Sequence, residues 1–396
     1  MVSLTLSAQL ELLQTCINNK LDLSDFLERH NYTYEDLVYR YNDRKLLDVT
    51  RPYQAITPSP FRLHEVPVVS FFSGSGGFDL GFEAAGFHHV ASFEVEKLFC
   101  ETMRKNRPQW NVFGPPESNG DLRNREAVIE SLQSVGVKKN FEGVFHGGPP
   151  CQPFSIAANQ RFSKAGENFK RIGFTHEEYG NLLFDYVFYI VQFRPRVFLL
   201  ENVPGLATVD DGEQLSTALN ILEDVGYIIS KPTLLNASDY GVPQNRQRLL
   251  ICGWRTRHEF DFPQKETIRV STEKALEKSL EGVANHITRK HEAASILRYM
   301  ELRYGGRDKL GRVDRLDPSL PSKTVIAGGT KGGGRSHLHP HIPRTLSVRE
   351  SARLQTFPDE YVFSGPPARQ FTQVGNAVPP LLAMKLAREI YETFYC

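Results

Sequence analysis

The sequence predicts an α/β protein built on a doubly wound, mostly parallel, Rossmann-like sheet, with a smaller irregular domain and a short helical N-terminal extension. Three observations lead there. The apolar run Val66 to Phe72 enters the glycine-rich turn Ser73-Gly74-Ser75-Gly76-Gly77-Phe78 and then the helical pattern Asp79 to Gly86, the strand, turn and helix of a nucleotide-binding sheet. Two further apolar runs, Gly143 to His146 and Arg196 to Leu200, stop at the polar turns Gly147-Gly148-Pro149-Pro150-Cys151-Gln152 and Glu201-Asn202-Val203-Pro204-Gly205, as buried parallel strands do where they leave a sheet. From about Trp254 to Thr345 this rhythm gives way to basic, glycine-rich sequence.

The 396 residues suit a core domain plus a smaller one, and 40% hydrophobic with 23% charged residues is ordinary for a globular chain. No apolar run is long enough to span a bilayer, and Met1-Val2-Ser3-Leu4 lacks the charged start of a signal peptide. A cytoplasmic protein is expected. Five cysteines, at 16, 100, 151, 252 and 396, show no metal-type pairing, so free thiols are expected, with neither disulfide nor zinc. Net charge is only +1, yet Arg289 to Arg349 holds thirteen Lys/Arg against five Asp/Glu. That one segment can carry the phosphate contacts of a nucleic-acid-binding chain.

In chain order, Ser7 to Leu13, Asp25 to Arg29 and Tyr34 to Tyr41 read as three short helices, and Pro52, Pro58 and Pro60 as a linker. They fit either a DNA-contacting module or an extension packed over the core. After the first strand, Val90 to Phe93 forms a second one ending at Glu94, with a helix from about Glu96 to Asn106. An acid at that strand end can accept from both hydroxyls of a ribose. The stretch Gly114 to Asn119 looks poorly ordered, and Asp121 of Gly120-Asp121-Leu122 reads as a helix N-cap on spacing alone. Prolines around Cys151 hold the thiol in one direction; it is either a nucleophile or a small packed hydrophobe. Phe154 to Gly173 is polar and without period, a length of loop that usually binds or moves. Tyr179 to Asp185 leads a helix ending at Phe193, and Asp239 to Arg248 precedes the strand Leu249 to Gly253. Arg246 and Arg248, at i and i+2 on an extended segment, are expected to point the same way. A charged helix is expected around Glu273 to Leu280, and a C-terminal one from Leu381 to about Tyr391, packed beside the first strand.

Pro-Pro-Cys-Gln and Glu-Asn-Val in this order at matching strand ends, with the other motifs above, resemble the cytosine-C5 DNA methyltransferases over about Val66 to Leu386. The resemblance implies a cofactor-binding catalytic domain over 64–255 completed by 372–396, a target-recognition domain over 256–358, a hinge over 359–371 and the extension over 1–63. It implies S-adenosyl-L-methionine at Phe72, Ser73, Gly74, Gly76, Gly77 and Phe78, with Glu94 on the ribose, Val95 on an adenine face, Asp121 on the adenine amino group, and Leu122, Pro150, Leu182, Asn376 and Ala377 alongside. Ser70 departs from the family, many of whose members place Asp there. Cys151 would add to cytosine C6, Glu201 would act at N3 with a raised pKa, Asn202 would hold the loop, Arg248 would lie near O2, and Arg246 would support the cysteine loop and the glutamate. Gln152, Ser155, Arg161, Lys331, Arg335 and His337 are the expected DNA contacts, on a base flipped from the duplex.

The implied enzyme is a sequence-specific DNA (cytosine-5-)-methyltransferase acting as a monomer on double-stranded DNA in the bacterial nucleoid. It needs neither membrane nor metal, and a cognate restriction endonuclease would share its site without stable binding. Rival readings are a tRNA cytosine-5 methyltransferase with the same motif set, an inactive DNA-binding regulator, and a nicotinamide enzyme, which the glycine spacing disfavours.

Overall fold

The computed structural model describes residues 4–42, 51–56, 65–150, 182–311, 313–327 and 337–396. They divide into two compact units, one made of residues 56–240, 247–265 and 377–396, the other of 1–55, 241–246 and 266–376.

The first unit holds the sheet. Its strands are β1 (Pro67–Phe71), β2 (His88–Phe93), β3 (Val112–Phe113), β4 (Val144–Gly147), β5 (Val197–Asn202), β6 (Ile228–Ile229), β7 (Thr233–Asn236) and β8 (Gln247–Trp254). Their order is β3-β2-β1-β4-β5-β8-β6, with β7 also on β8. β3 through β5 are mutually parallel, while β8 runs antiparallel to β5, β6 and β7. The order turns back between β1 and β4, so the loops leaving these two strands diverge and open a crevice at their carboxyl ends.

One face of the sheet is lined by Phe71, Phe93 and Phe145, closed over by Tyr186, Tyr189, Ile190 and Phe193 of a helix at Leu182–Phe193. The rings of Phe71 and Phe93 stack at 5.5 Å. Each such side chain contributes about 1.5–3 kcal/mol on burial, which anchors the strand ends that carry the site. After β1, Gly77–Ala84 forms a helix, joined by Pro380–Phe394 at the C-terminus. The C-terminal helix was expected beside the first strand; it lies instead on the Gly77–Ala84 helix. A Cβ on Gly81 would stand 2.3 Å from Ala383 Cβ, so the absent side chain is what lets the two backbones meet.

The Gly114 to Asn119 stretch, expected to be poorly ordered, is tied down. Arg104, on the Lys97–Asn106 helix, donates to the carbonyls of Val112, Gly114 and Pro115 at 2.8–2.9 Å. Ser118 Oγ accepts from the Gly114 amide at 2.8 Å.

In the second unit the extension shares a core with later sequence. Leu13, Leu23, Leu27 and Leu37 pack with Ile296, Met300, Val313 and Leu338. Helices Leu6–Asn18 and Leu23–Arg29 form as expected in place, but Tyr34–Asp36 is a single 3-10 turn closed by a Thr33 capping box. Beyond that turn Tyr39 is buried, its hydroxyl donating to the His339 carbonyl at 2.9 Å, with the Arg315 guanidinium 3.5 Å from its ring centre. Tertiary contacts thus replace the third helix. The helix expected around Glu273 to Leu280 is shorter, Thr272–Leu276.

Candidate active site

The carboxyl ends of β1, β2, β4 and β5 carry the side chains singled out by sequence. Phe72 leaves β1 at φ +56°, followed by Gly74 at +58° and Gly76 at +80°. A left-handed Phe costs about 1–2 kcal/mol, strain that persists at a strand end only where the surroundings impose it. Here the Ser73 amide donates to the Phe93 carbonyl at 3.1 Å and its hydroxyl to Ser70 Oγ at 2.8 Å. Ser70 thus ties the turn to its own strand. A Cβ on Gly74 would meet nothing within 4 Å, so the turn is open on that side. Gly77 begins its helix, and Phe78, expected at a ligand, is buried between Phe82 and His146: its first-turn position faces the sheet.

Glu94 closes the turn from the end of β2. Its buried carboxylate accepts from the amides of Gly74 at 2.7 Å and Glu96 at 2.8 Å. Burial pushes the carboxyl up to about 7, against those two amide bonds, which favour the charged form. Val95 beside it is exposed. The Glu94 carbonyl is hemmed in by Gly114 and Gly120, where a Cβ would come within 2.1 and 2.0 Å of it. The glycine of Gly120-Asp121-Leu122 therefore has a steric task that spacing did not reveal.

Asp121 is not the N-cap, a role Asn124 takes for the helix Arg125–Ser134. Arg123 forks both Asp121 oxygens at 2.6–3.0 Å and holds the carboxyl below its usual range. Leu122, expected at the cofactor, has its side chain in the core, and its carbonyl accepts from Tyr189 at 2.6 Å. Alternation in the chain sends the two neighbours opposite ways. Leu182 is buried at the start of its helix, outside the core cluster that Leu183 joins.

Glu201 and Arg248 form the ionic centre. The Arg248 Nε stands 2.6 Å from Glu201 Oε1, each side chain only 12% exposed. Burial pulls the guanidinium below its ordinary value while Glu201 opposes the shift; it stays protonated at any working pH. The antiparallel register of β5 and β8 sets this pair, with Glu201 opposite Leu250 and Asn202 opposite Leu249. A Cβ on Gly148 would lie 2.8 Å from Glu201 Oε2, so the second glycine of Gly147-Gly148-Pro149-Pro150 brings the β4 loop against the carboxylate. The buried Asn202 donates from Nδ2 to the Pro149 carbonyl at 3.1 Å and accepts from the Val203 amide at 2.8 Å. It ties the β5 end to the loop just ahead of Pro150 and Cys151.

Arg246 does not join Glu201 as expected. It is buried in the second unit, donating to the Val325 carbonyl at 3.2 Å and the Gly375 and Asn376 carbonyls at 2.8 and 3.4 Å. Extended spacing predicts a shared direction, but β8 begins only at Gln247, so the alternation does not reach back to Arg246. Gln244, not singled out by sequence, is fully buried beside it, bonding the Val325 amide and Gln355 Oε1 at 2.9 Å each. Asn376 ends a helix at Pro367–Asn376 with its side chain exposed, and Ala377 is buried.

His337, expected to contact DNA, is buried in the short strand β10 (His337–Leu338), paired with β9 (Asp314–Arg315). Its Nε2 lies 3.0 Å from the Thr324 carbonyl, and the strand pairing turns the ring inward. Cys151, Gln152, Ser155, Arg161, Lys331 and Arg335 lie outside the described residues. Among those described, no helix is long and apolar enough to cross a membrane.

A sequence profile of the C-5 cytosine-specific DNA methylases matches residues 66–392. The Type II methyltransferase M.Eco47II of Escherichia coli is 33% identical over 352 residues, covering 82% of this chain and 78% of that protein. M.MthTI of Methanothermobacter thermautotrophicus is 33% identical over 356 residues, 82% of this chain and 96% of its own. Among solved structures, a prophage-encoded DNA modification methyltransferase of E. coli has a TM-score of 0.67 at 24% identity, over 83% of this chain and 99% of that one. The Entamoeba histolytica methyltransferase EhMeth has 0.58 at 17%, over 83% and 98%. At these identities the structural likeness speaks to the fold alone.

Proposed function

Since the chain belongs to the C-5 cytosine-specific DNA methylases, we propose that it is the sequence-specific modification enzyme of a restriction-modification system, with S-adenosyl-L-methionine as donor. Type II methyltransferases are its relatives by name. The observation that carries the catalytic part of this reading is the buried Glu201–Arg248 pair, at a strand end tied through Asn202 to the loop that runs into Cys151.

The cradle suits the donor. Gly74 is open on its Cβ side, Glu94 is a buried carboxylate aimed at the same turn, and Val95 offers an exposed apolar surface beside it. Glu94 has lone pairs left to accept from ribose hydroxyls, and Val95 gives a face of adenine an apolar surface to pack on. Asp121 reaches the adenine amino group only if Arg123, half exposed, swings away from it. When bound, the donor supplies an electrophilic methyl group on a sulfonium. Cytosine C5 is too weak a nucleophile to take it unaided, so the Cys151 thiolate adds to C6 and loads electron density onto C5. Glu201 serves N3 of the ring and Arg248 its O2. Nε of that guanidinium is held by Glu201 and Nη1 by the Gln247 carbonyl at 2.7 Å, which leaves Nη2 to face the base. After transfer a base removes the C5 proton and the cysteine leaves. A base within a duplex offers no face to these groups, so it is flipped out. The enzyme works as a monomer in the cytoplasm, and a cognate endonuclease would read the same site without binding it.

Donor binding gains a pH dependence from Glu94. Its folded-state pKa, about 7, lies above the ordinary carboxyl value, so the stability linked to it is fully present below the unfolded pKa and is lost as pH rises through about 7. Donor affinity runs the other way, because two hydroxyl donors need the ionised form. Calorimetric titration should show affinity rising about tenfold per pH unit up to about 7 and then levelling. Glu94→Gln should remove that slope, and Glu94→Ala should cost about 2–3 kcal/mol. Unchanged affinity in both variants would take Glu94 out of the site.

The function itself is tested by expressing this gene alone in a host without cytosine-5 methylation and sequencing the modified DNA. Methylation of C5 at one short recurring motif is expected. Methylated tRNA beside unmodified DNA would overturn the reading, and methylation without a recurring motif would overturn its sequence specificity.

A further inference from the structure

The described Lys/Arg among the thirteen of Arg289 to Arg349 differ in burial. Arg315, Arg344 and Arg349 are fully buried and serve the core of the second unit. Arg307 and Lys323 are instead 56% exposed, and both converge on one buried carboxylate, Asp314: Lys323 Nζ at 3.0 Å and Arg307 Nε at 3.9 Å. Asp314 is 6% exposed in its side chain. Strand pairing fixes this arrangement, since Arg307 bridges antiparallel to Asp314 while His337 pairs parallel with it. Arg307 is held further by Nε and Nη2 donating to the Gly311 carbonyl at 3.3 and 2.7 Å.

An ordinary surface ion pair shows solvent both signs and stays mobile. Here the carboxylate is buried and the two cations are exposed, so the cluster offers solvent a net positive charge on side chains already tethered. Ordering them beforehand lowers the entropy cost of gripping a polyanion. His337 is also held to the Thr324 carbonyl, next to Lys323 in the chain.

We propose that Arg307 and Lys323, positioned by buried Asp314, form a clamp for two phosphates of the DNA backbone. This rests on the DNA-methylating function above and deepens it by naming where the backbone is held. Asp314 is a positioning residue, with no contact to the nucleic acid.

The test measures binding of the full chain to duplex DNA carrying its methylation motif, across a range of salt concentrations. Each lost phosphate contact reduces the slope of log affinity against log salt by about 0.9. Arg307→Gln with Lys323→Gln should therefore flatten the slope by roughly 1.8, with donor affinity unchanged. Asp314→Asn raises the net positive charge, so bulk electrostatics alone requires tighter binding; loss of anchoring requires weaker binding, and a several-fold loss is expected. An unaltered slope in the double variant, or tighter binding by Asp314→Asn, overturns the clamp. Should Asp314→Asn fail to fold, as its melting curve would show, the exposed double variant decides alone. If the wild-type chain methylates no DNA at all, the functional reading falls and the clamp with it; if it does methylate DNA, a negative double variant removes the clamp only.

Discussion

Cys151→Ser should abolish methylation, with a fall on the order of 10⁴-fold or more, the scale reached when a catalytic nucleophile is removed. The reason lies in the order of steps. Without a thiolate on C6, the ring keeps its aromatic conjugation and C5 has no electron pair to give, so the hydroxyl of serine, far less ionised at neutral pH, leaves the first step undone. DNA with 5-fluorocytosine at the target makes the point independently. Fluorine at C5 cannot depart as a cation after methyl transfer, so wild-type protein should be trapped as a covalent adduct seen on a denaturing gel. The Cys151→Ser protein should give none. A serine variant that still methylates near the normal rate would show that another group attacks C6.

Arg344→Met should destabilise the second unit by about 3–5 kcal/mol, the cost of leaving a buried charge without its partner. Arg344 is 1% exposed and forks two carboxylates at once, Glu350 at 2.8 Å through both Nη atoms and Glu35 at 2.7 and 3.0 Å. Burial works against the charge on Glu350, yet Arg344 holds its carboxyl well below the usual range. Stability from this pair is therefore present above the unfolded carboxyl pKa and lost as pH falls through the folded one. Glu35 belongs to the N-terminal extension, so the same change loosens residues 4–42 within the second unit. Denaturant titration reads the loss. Arg344→Met with Glu350→Leu should recover part of it, because no buried charge is then left unpaired and Glu35, 40% exposed, can turn to solvent. A single-variant loss under about 1 kcal/mol would mean that Glu350 finds another partner.

The candidate site was legible wherever chemistry is written into short stretches. Glycines before a helix, an acid at the end of the second strand, and a cysteine and a glutamate after two apolar runs are local patterns, and all fall within the family match over 66–392. Local patterns failed where a side chain's partner is distant in sequence. Phe78 and Leu122 belong to motifs that the resemblance places at the cofactor, yet both side chains are buried. His337 sits in a basic, glycine-rich stretch but is drawn inward by pairing with Asp314. Arg246 and Arg248 match one motif, and the point at which β8 begins sends their guanidinia to different tasks.

By itself the sequence determined the α/β sheet and which side chains stand where its strands end, because periodicity and strand-terminal residues are properties of neighbours in the chain. Only the tertiary structure decided that Glu201 takes Arg248 as its partner, that Gly148 and Gly120 are steric necessities, and that the N-terminal helices share a core with residues 266–376. The first depends on strand register and a buried charge finding its counter-ion, the others on close backbone approach and apolar packing between residues far apart in the chain. A burial of that kind is fixed by the whole chain's competition for apolar contacts and hydrogen-bond partners, which no local window contains.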